Sequence, residues 1–429
     1  MAKLTAKQRR DLLRKAKAGD IDAQCRLASA YGRDDKPPNL AKACFWARKA
    51  AEQGNAWAQT MLGVAHSEGR GVRRNHRTAV KWFCKAAEQG YGDAQFSLAY
   101  AYKHGEGVAQ NYRKAVEWYR KAAAQGEATA QHNLGCMYHE GQGVRKNYKT
   151  GAMWYRKAAL QGDPDSQYSL ARAYDLGQGV RKDFRLAAKW YRMAADQGDM
   201  DAQTSLGEML RDGEGVARNH KEAVRLFRLA AEQGDPEAQL SLGYACFYGE
   251  GTGKDHAEAL KWYRKAARQG RDAAMFNIGL CYHKGEGVAK NPRAAVDWFL
   301  KAAKHGHLES QYKLGWACWY GEGVRKNAVK SFEWFMKAAA QGDAESQVFV
   351  GVALHNGEGT RQDYAESAEW YRKAARQNDG EAQYLLGLCY LDGQGVPRNK
   401  RHALAWFRKA AANNERRALK EIKKLDNES

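Results

Sequence analysis

Apolar positions along this chain follow a pattern that returns every 36 residues. One branched apolar residue recurs at Leu62, Leu98, Leu134, Leu170, Leu206, Leu242, Ile278, Leu314, Val350 and Leu386, and Gly or Ala always follows it. A tryptophan recurs in step with it, at Trp82, Trp118, Trp154, Trp190, Trp262, Trp298, Trp334, Trp370 and Trp406, with Leu226 replacing it once. Glycine punctuates the pattern twice per period. One mark runs from Gly54 through Gly90 to Gly342, with Asn378 continuing it, and the second is the G-x-G that begins at Gly69, Gly105, Gly141 and so on to Gly393. The stretches between marks have helical spacing, so each period predicts two helices. Helix A follows the first mark, where Asp163 and Asp235 stand as N-caps before Pro164 and Pro236. Helix B follows a recurrent Asn or Asp, among them Asn75, Asn111, Asn147, Asp183 and Asp255. Each helix has about a dozen residues, too few to persist alone in water, so stacking on its neighbours must stabilise it.

This pattern predicts an all-α solenoid of 36-residue helix-turn-helix repeats. Residues 1–18 read as an N-terminal half-repeat helix, 19–413 as eleven repeats, and 414–429 as a capping helix and tail. The capping segment keeps Ile422 on the leucine position and Leu425 one turn later, in an otherwise charged stretch. The small residue after each leucine lets a neighbouring helix approach, and the tryptophans read as the bulk of the core.

The run from Ala115 to Asn147 reads A-x-x-W-Y-x-K-A-A-x-Q-G-x-x-x-A-Q-x-x-L-G-x-x-Y-x-x-G-x-G-V-x-x-N. It resembles the Sel-1-like repeat, a relative of the tetratricopeptide repeat, over nearly the whole chain. That resemblance implies a right-handed superhelix that works as an adaptor or scaffold. Some secreted members carry a disulfide in each repeat. The paired spacing is missing here, so their oxidising location and β-lactam binding are not implied.

The net charge is +21. A chain this basic favours acidic proteins, nucleic acid or anionic surfaces. No run of 18 apolar residues is present, and the basic first twenty residues lack the apolar stretch of a secretory signal. The expectation is a cytoplasmic monomer. The eight cysteines form no C-x-x-C pair and replace Ala, Met or Tyr of other repeats, which fits small buried reduced thiols.

Subtracting the repeat leaves the free positions. In helix A, positions 3, 6, 10, 13 and 14 after the glycine vary and share one side. By the resemblance, that side lines the concave groove. Between Tyr244 and Tyr320 it is rich in aromatics: Tyr244, Phe247, Tyr248, Phe276, His283, Tyr312, Trp316, Trp319 and Tyr320. Grouped exposed aromatics are favoured anchors for a protein or peptide partner, and the alternative is packing between adjacent A helices. Basic residues recur in helix B, as Arg120 and Lys121 or Arg264 and Lys265, and in the A–B loops, as Arg145 and Lys146. Such stripes could bind nucleic acid or an acidic protein. Solvated surface beside helix C-termini explains them as well.

Little points to chemistry. Gly249 to Asp255 (GEGTGKD) has Tyr248 and Asp255 where a phosphate loop needs Gly and Ser or Thr, and it falls on the A–B turn. His305 and His307 lack further ligands at metal spacing. The expectation is a non-enzymatic interaction scaffold without catalytic, cofactor or metal site.

Overall fold

The computed structural model describes residues 5–33 and 37–427; residues 1–4 of the half-repeat, 34–36 of the first repeat and 428–429 of the tail lie outside the described residues. Twenty-four α-helices follow one another, and no strand occurs among the described residues. The chain forms two compact units, Met1–Arg218 and Asn219–Ser429. Within each unit, helices pack chiefly on the helix before and the helix after. This is an all-α solenoid of tandem hairpins.

One hairpin shows how the sequence sets the geometry. Helix A spans Ala128–Glu140 and helix B spans Tyr148–Leu160. Gly141 ends helix A in the left-handed region at φ 79°, and its N–H donates to the Met137 carbonyl at 2.9 Å. An L side chain is disfavoured there, which explains the recurrent glycine. Asn147 then caps helix B by accepting from the Thr150 N–H at 3.0 Å. Gly143 sits at φ 70°, and a Cβ on it would lie 2.4 Å from the carbonyl oxygen of Tyr112 on the preceding B helix. The G-x-G turn therefore lays its backbone directly on the previous hairpin.

The ring that fills the hairpin differs from the sequence expectation. A Cβ at Gly63 would meet the Phe83 ring at 2.3 Å, at Gly135 the Tyr155 ring at 2.7 Å, and at Gly387 the Phe407 ring at 2.5 Å. These rings belong to the residue after each tryptophan and are buried. The tryptophans lie further out. Trp46, Trp190, Trp262 and Trp370 are buried, whereas Trp82, Trp118, Trp154, Trp298, Trp334 and Trp406 are half-buried. Trp118 and Trp154 pack against apolar clusters that join the preceding B helix to the A helix of their own hairpin. They seal the seam between repeats rather than the hairpin interior. The lysine three residues on covers the outer ring face, at 3.9 Å for Lys121 over Trp118 and 3.5 Å for Lys373 over Trp370.

A second tie runs through glutamine. Gln59, 3% exposed, donates Nε2 to the Ala51 carbonyl of the preceding B helix at 3.1 Å. Its Oε1 accepts from Gln89, at the end of its own B helix, at 2.8 Å. The same pairing recurs at Gln95 and Gln125, Gln131 and Gln161, Gln239 and Gln269, and Gln347 and Gln377. In the last hairpin Asn413 takes the outer place and donates to Gln383 at 2.9 Å, and another hairpin has Met275 and His305 at the two positions.

Candidate protein-interaction face

The nine aromatic and histidine positions singled out by sequence all lie in the unit Asn219–Ser429, on three consecutive A helices: Pro236–Tyr248, Asp272–Lys284 and Leu308–Tyr320. They divide by what they touch. Phe276 lies 5.7 Å from the Phe299 ring and Tyr312 lies 5.9 Å from the Phe335 ring, each inside its own hairpin. Tyr244 meets Tyr263 edge-on at 5.7 Å and accepts a hydrogen bond from Asn277 at 2.8 Å. Phe247 stacks on His256 at 4.5 Å. Trp316 and Trp319 both pack edge-on against Phe349 of the next A helix, at 5.5 and 5.1 Å. These residues are half-buried and join adjacent elements.

Of the remaining three, Tyr248 and Tyr320 face outward and His283 is half-buried. Tyr248 is 63% exposed and Tyr320 is 69% exposed. Tyr320 stacks on Trp316 at 5.4 Å with the planes 13° apart. His283 places Nδ1 3.5 Å from the Glu322 carboxylate. Together Tyr312, Trp316, Tyr320, His283 and Glu322 rim a cavity of about 210 Å³ floored by Val296 and Phe299. Ligand and cofactor pockets occupy roughly 300–1,000 Å³, so this indentation suits a single side chain. Burial, then the hydrogen bond to Glu345, pushes the Tyr312 phenol above its usual range, so it stays neutral.

The unit Met1–Arg218 carries an indentation at the corresponding place, about 250 Å³, lined by Val80, Phe83, Phe96, Tyr100 and Glu106 among others. Both are lined by two successive A helices and the B helix between them. The floor is apolar and a glutamate marks the rim in each.

Sequence reasoning missed Phe349, which gathers Trp316, Trp319 and Phe335 around one ring. The signal was available. Most A helices carry a polar residue at that position, such as Ser97, Asn133, Ser169 or Asn277. The GEGTGKD segment is the ordinary A–B turn: a Cβ on Gly251 would lie 2.2 Å from the His220 carbonyl oxygen, and Asp255 caps the B helix by accepting from the Glu258 N–H at 2.9 Å. His307 caps the helix Leu308–Tyr320 by accepting from the Ser310 N–H at 3.3 Å. Of the eight free cysteines, five are buried, while Cys25, Cys84 and Cys136 are half-buried.

A sequence model of the Sel1 repeat matches eleven segments, beginning with 21–55, 58–91 and 92–127 and ending with 380–415. The chain belongs to the Sel1 repeat family. Among solved structures, a protective antigen present in uropathogenic Escherichia coli strains, displaying an SLR fold, is 37% identical. That match has a TM-score of 0.84 and covers 98% of this chain and 91% of the other. A Sel1 repeat protein from Oxalobacter formigenes is 33% identical, with a TM-score of 0.58, over 72% of this chain and 89% of the other. No curated protein matches. Sel1 repeats account for the glycine marks, the caps and the W-[YF]-x-K rows at once. Among the described residues of this Sel1 chain, no helix is long and apolar enough to cross a membrane.

Proposed function

We propose that this Sel1-repeat protein is a non-enzymatic scaffold that holds a protein or peptide segment along the free side of its A helices. Sel1 repeat proteins generally mediate protein–protein interaction. The observation that carries the finer reading is the outward-facing pair Tyr248 and Tyr320, the latter stacked on Trp316 at the rim of a side-chain-sized indentation. An exposed aromatic beside an apolar hollow is the arrangement from which binding anchors are built. A segment lying across successive A helices would place one side chain per repeat into such hollows, with its backbone near Glu322 and His283.

The basic rows favour no second reading. Lysines such as Lys265 and Lys301 lie over Trp262 and Trp298 at 3.7 and 3.8 Å, which accounts for their recurrence without a polyanion.

The test is affinity purification with the full chain and with a Tyr248→Ser, Tyr320→Ser double variant. Both tyrosines are exposed, so the variant should melt like the parent and lose its co-purifying protein. Retention of that protein by the variant would remove this face as the site. Trp316→Ala with Trp319→Ala is the contrasting pair. These rings pack on Phe349, so their loss should cost about 3 kcal/mol or more in stability. Retention of mixed-sequence RNA that weakens steeply with salt would favour an electrostatic binder instead.

A further inference from the structure

Cys136 stands apart from the other seven cysteines in what surrounds it. It lies on the helix Ala128–Glu140, one turn after His132, so both side chains leave the same face. The sulfur is 3.4 Å from His132 Nε2. The other ring nitrogen, Nδ1, is 3.0 Å from the Ser166 hydroxyl and 3.8 Å from the Asp163 carboxylate, both at the start of the next A helix. Ser166 is fully buried. The corresponding Ser346 hydroxyl, which follows a repeat with Tyr312 in place of His132, is buried without a partner.

Nε2 is the nitrogen that faces the thiol, and the Asp163 carboxylate beside Nδ1 favours a proton there. A base oriented by a third group beside a sulfur is the arrangement that activates a nucleophile. The Tyr155 phenol on the B helix and the Lys103 ammonium on the preceding A helix both favour the thiolate. Lys103 is itself held by Asn133, at 3.2 Å. Cys136 is half-buried and occupies a free position of helix A.

We propose that Cys136 is a reactive thiol that undergoes exchange with low-molecular-weight disulfides of anionic character. Cys136 transfers its proton to His132 Nε2. The thiolate attacks one sulfur of R–S–S–R, a new Cys136–S–S–R bond forms, and the old S–S bond breaks. The released R–S⁻ takes the proton back from the imidazolium and leaves as R–SH. The disulfide is reduced, the cysteine is oxidised, and no further reactant is needed. Lys103 beside the site favours a disulfide bearing carboxylates. The site is independent of the aromatic face, which lies in the other unit.

Electrostatics run the same way. Burial pushes the Cys136 thiol up, but the hydrogen bond and charge of His132, with Tyr155 and Lys103, outweigh it and leave the thiol below its ordinary range. Burial pushes His132 down, and Cys136, Asp163 and Asp165 more than reverse that. The remaining cysteines are pushed up by burial, Cys25 to about 11.

The test uses the full reduced chain with oxidised glutathione near neutral pH, read by peptide mass spectrometry. Each unit of pKa above the working pH lowers the thiolate fraction about tenfold; burial pushes Cys25 and Cys84 up while Cys136 lies below its ordinary range, so Cys136 should take the adduct at least about tenfold faster than either. That comparison needs no variant. His132→Gln should bring the Cys136 rate down to that of Cys84 while circular dichroism stays unchanged. The positively charged disulfide cystamine should react more slowly than oxidised glutathione. Equal labelling of Cys136 and Cys84 in the unaltered protein would overturn the proposal, and faster labelling by cystamine would overturn its charge preference.

Discussion

Replacing Gln347 by Met tests how the hairpins are fastened to one another. Gln347 is 4% exposed. It donates to the Ala339 carbonyl at 3.1 Å and accepts from Gln377 at 3.0 Å. Met is close to Gln in length and helix propensity, so the change removes hydrogen bonds with little disturbance of shape. Two bonds at a net 0.5–1.5 kcal/mol each give a loss of about 1–3 kcal/mol, and the apolar gain of Met places the expectation near the lower end. Gln377→Met loses the same shared bond and a second one to the Gly342 carbonyl at 2.9 Å. Gln377 is exposed, so water replaces part of that loss and about 1 kcal/mol is expected. The double variant should cost less than the sum of the two by about 1 kcal/mol, the worth of the shared bond. Urea unfolding of the four proteins by circular dichroism gives the cycle. Tandem repeats need not unfold in one step, so amide exchange around residues 343–347 should localise the effect to this hairpin. Additive losses, or no loss at Gln347→Met, would refute the account. The chain contains its own control: where Met275 replaces the inner glutamine, His305 replaces the outer one as well.

Gly243→Val should lower stability by about 1–3 kcal/mol, because its Cβ would sit 2.5 Å from the Tyr263 ring and the added methyls have no space; a melting temperature at or above that of the parent would contradict this. Lys265→Ala should cost only about 0.5–1 kcal/mol by uncovering Trp262, visible as a red shift of tryptophan emission, and an unchanged spectrum would show that the lysine does not shield the ring.

The helices, their caps and their turns were legible because backbone demands are local. Asn147 must cap and Gly141 must turn left-handed wherever the hairpin sits. The identity of the filling ring was not, since W-Y and W-F place two aromatics side by side and only packing decides which one meets Gly135 or Gly63. The glutamines were visible as a repeated A-Q, yet their partners lie 30 residues away in sequence and one helix away in space. Of the aromatic face, the residue types were legible and the contacts were not. Trp319 is off the core row, but its neighbour Phe349 belongs to the following repeat. His132 and Cys136 stand at i and i+4, a spacing open to inspection. Ser166 and Asp163, which orient the imidazole, come from the next hairpin.

The G-x-G turns carry a mechanical meaning. Gly143 lies on the Tyr112 carbonyl, Gln131 grips the Ala123 carbonyl, and Trp154 closes the seam, so a hairpin is tethered to its predecessor at three separate points. A load pulling along the chain would meet these tethers in parallel within one seam and in series from seam to seam. Such a chain yields in discrete jumps rather than by gradual stretching. Each jump pays out one 36-residue period, on the order of 120 Å of contour.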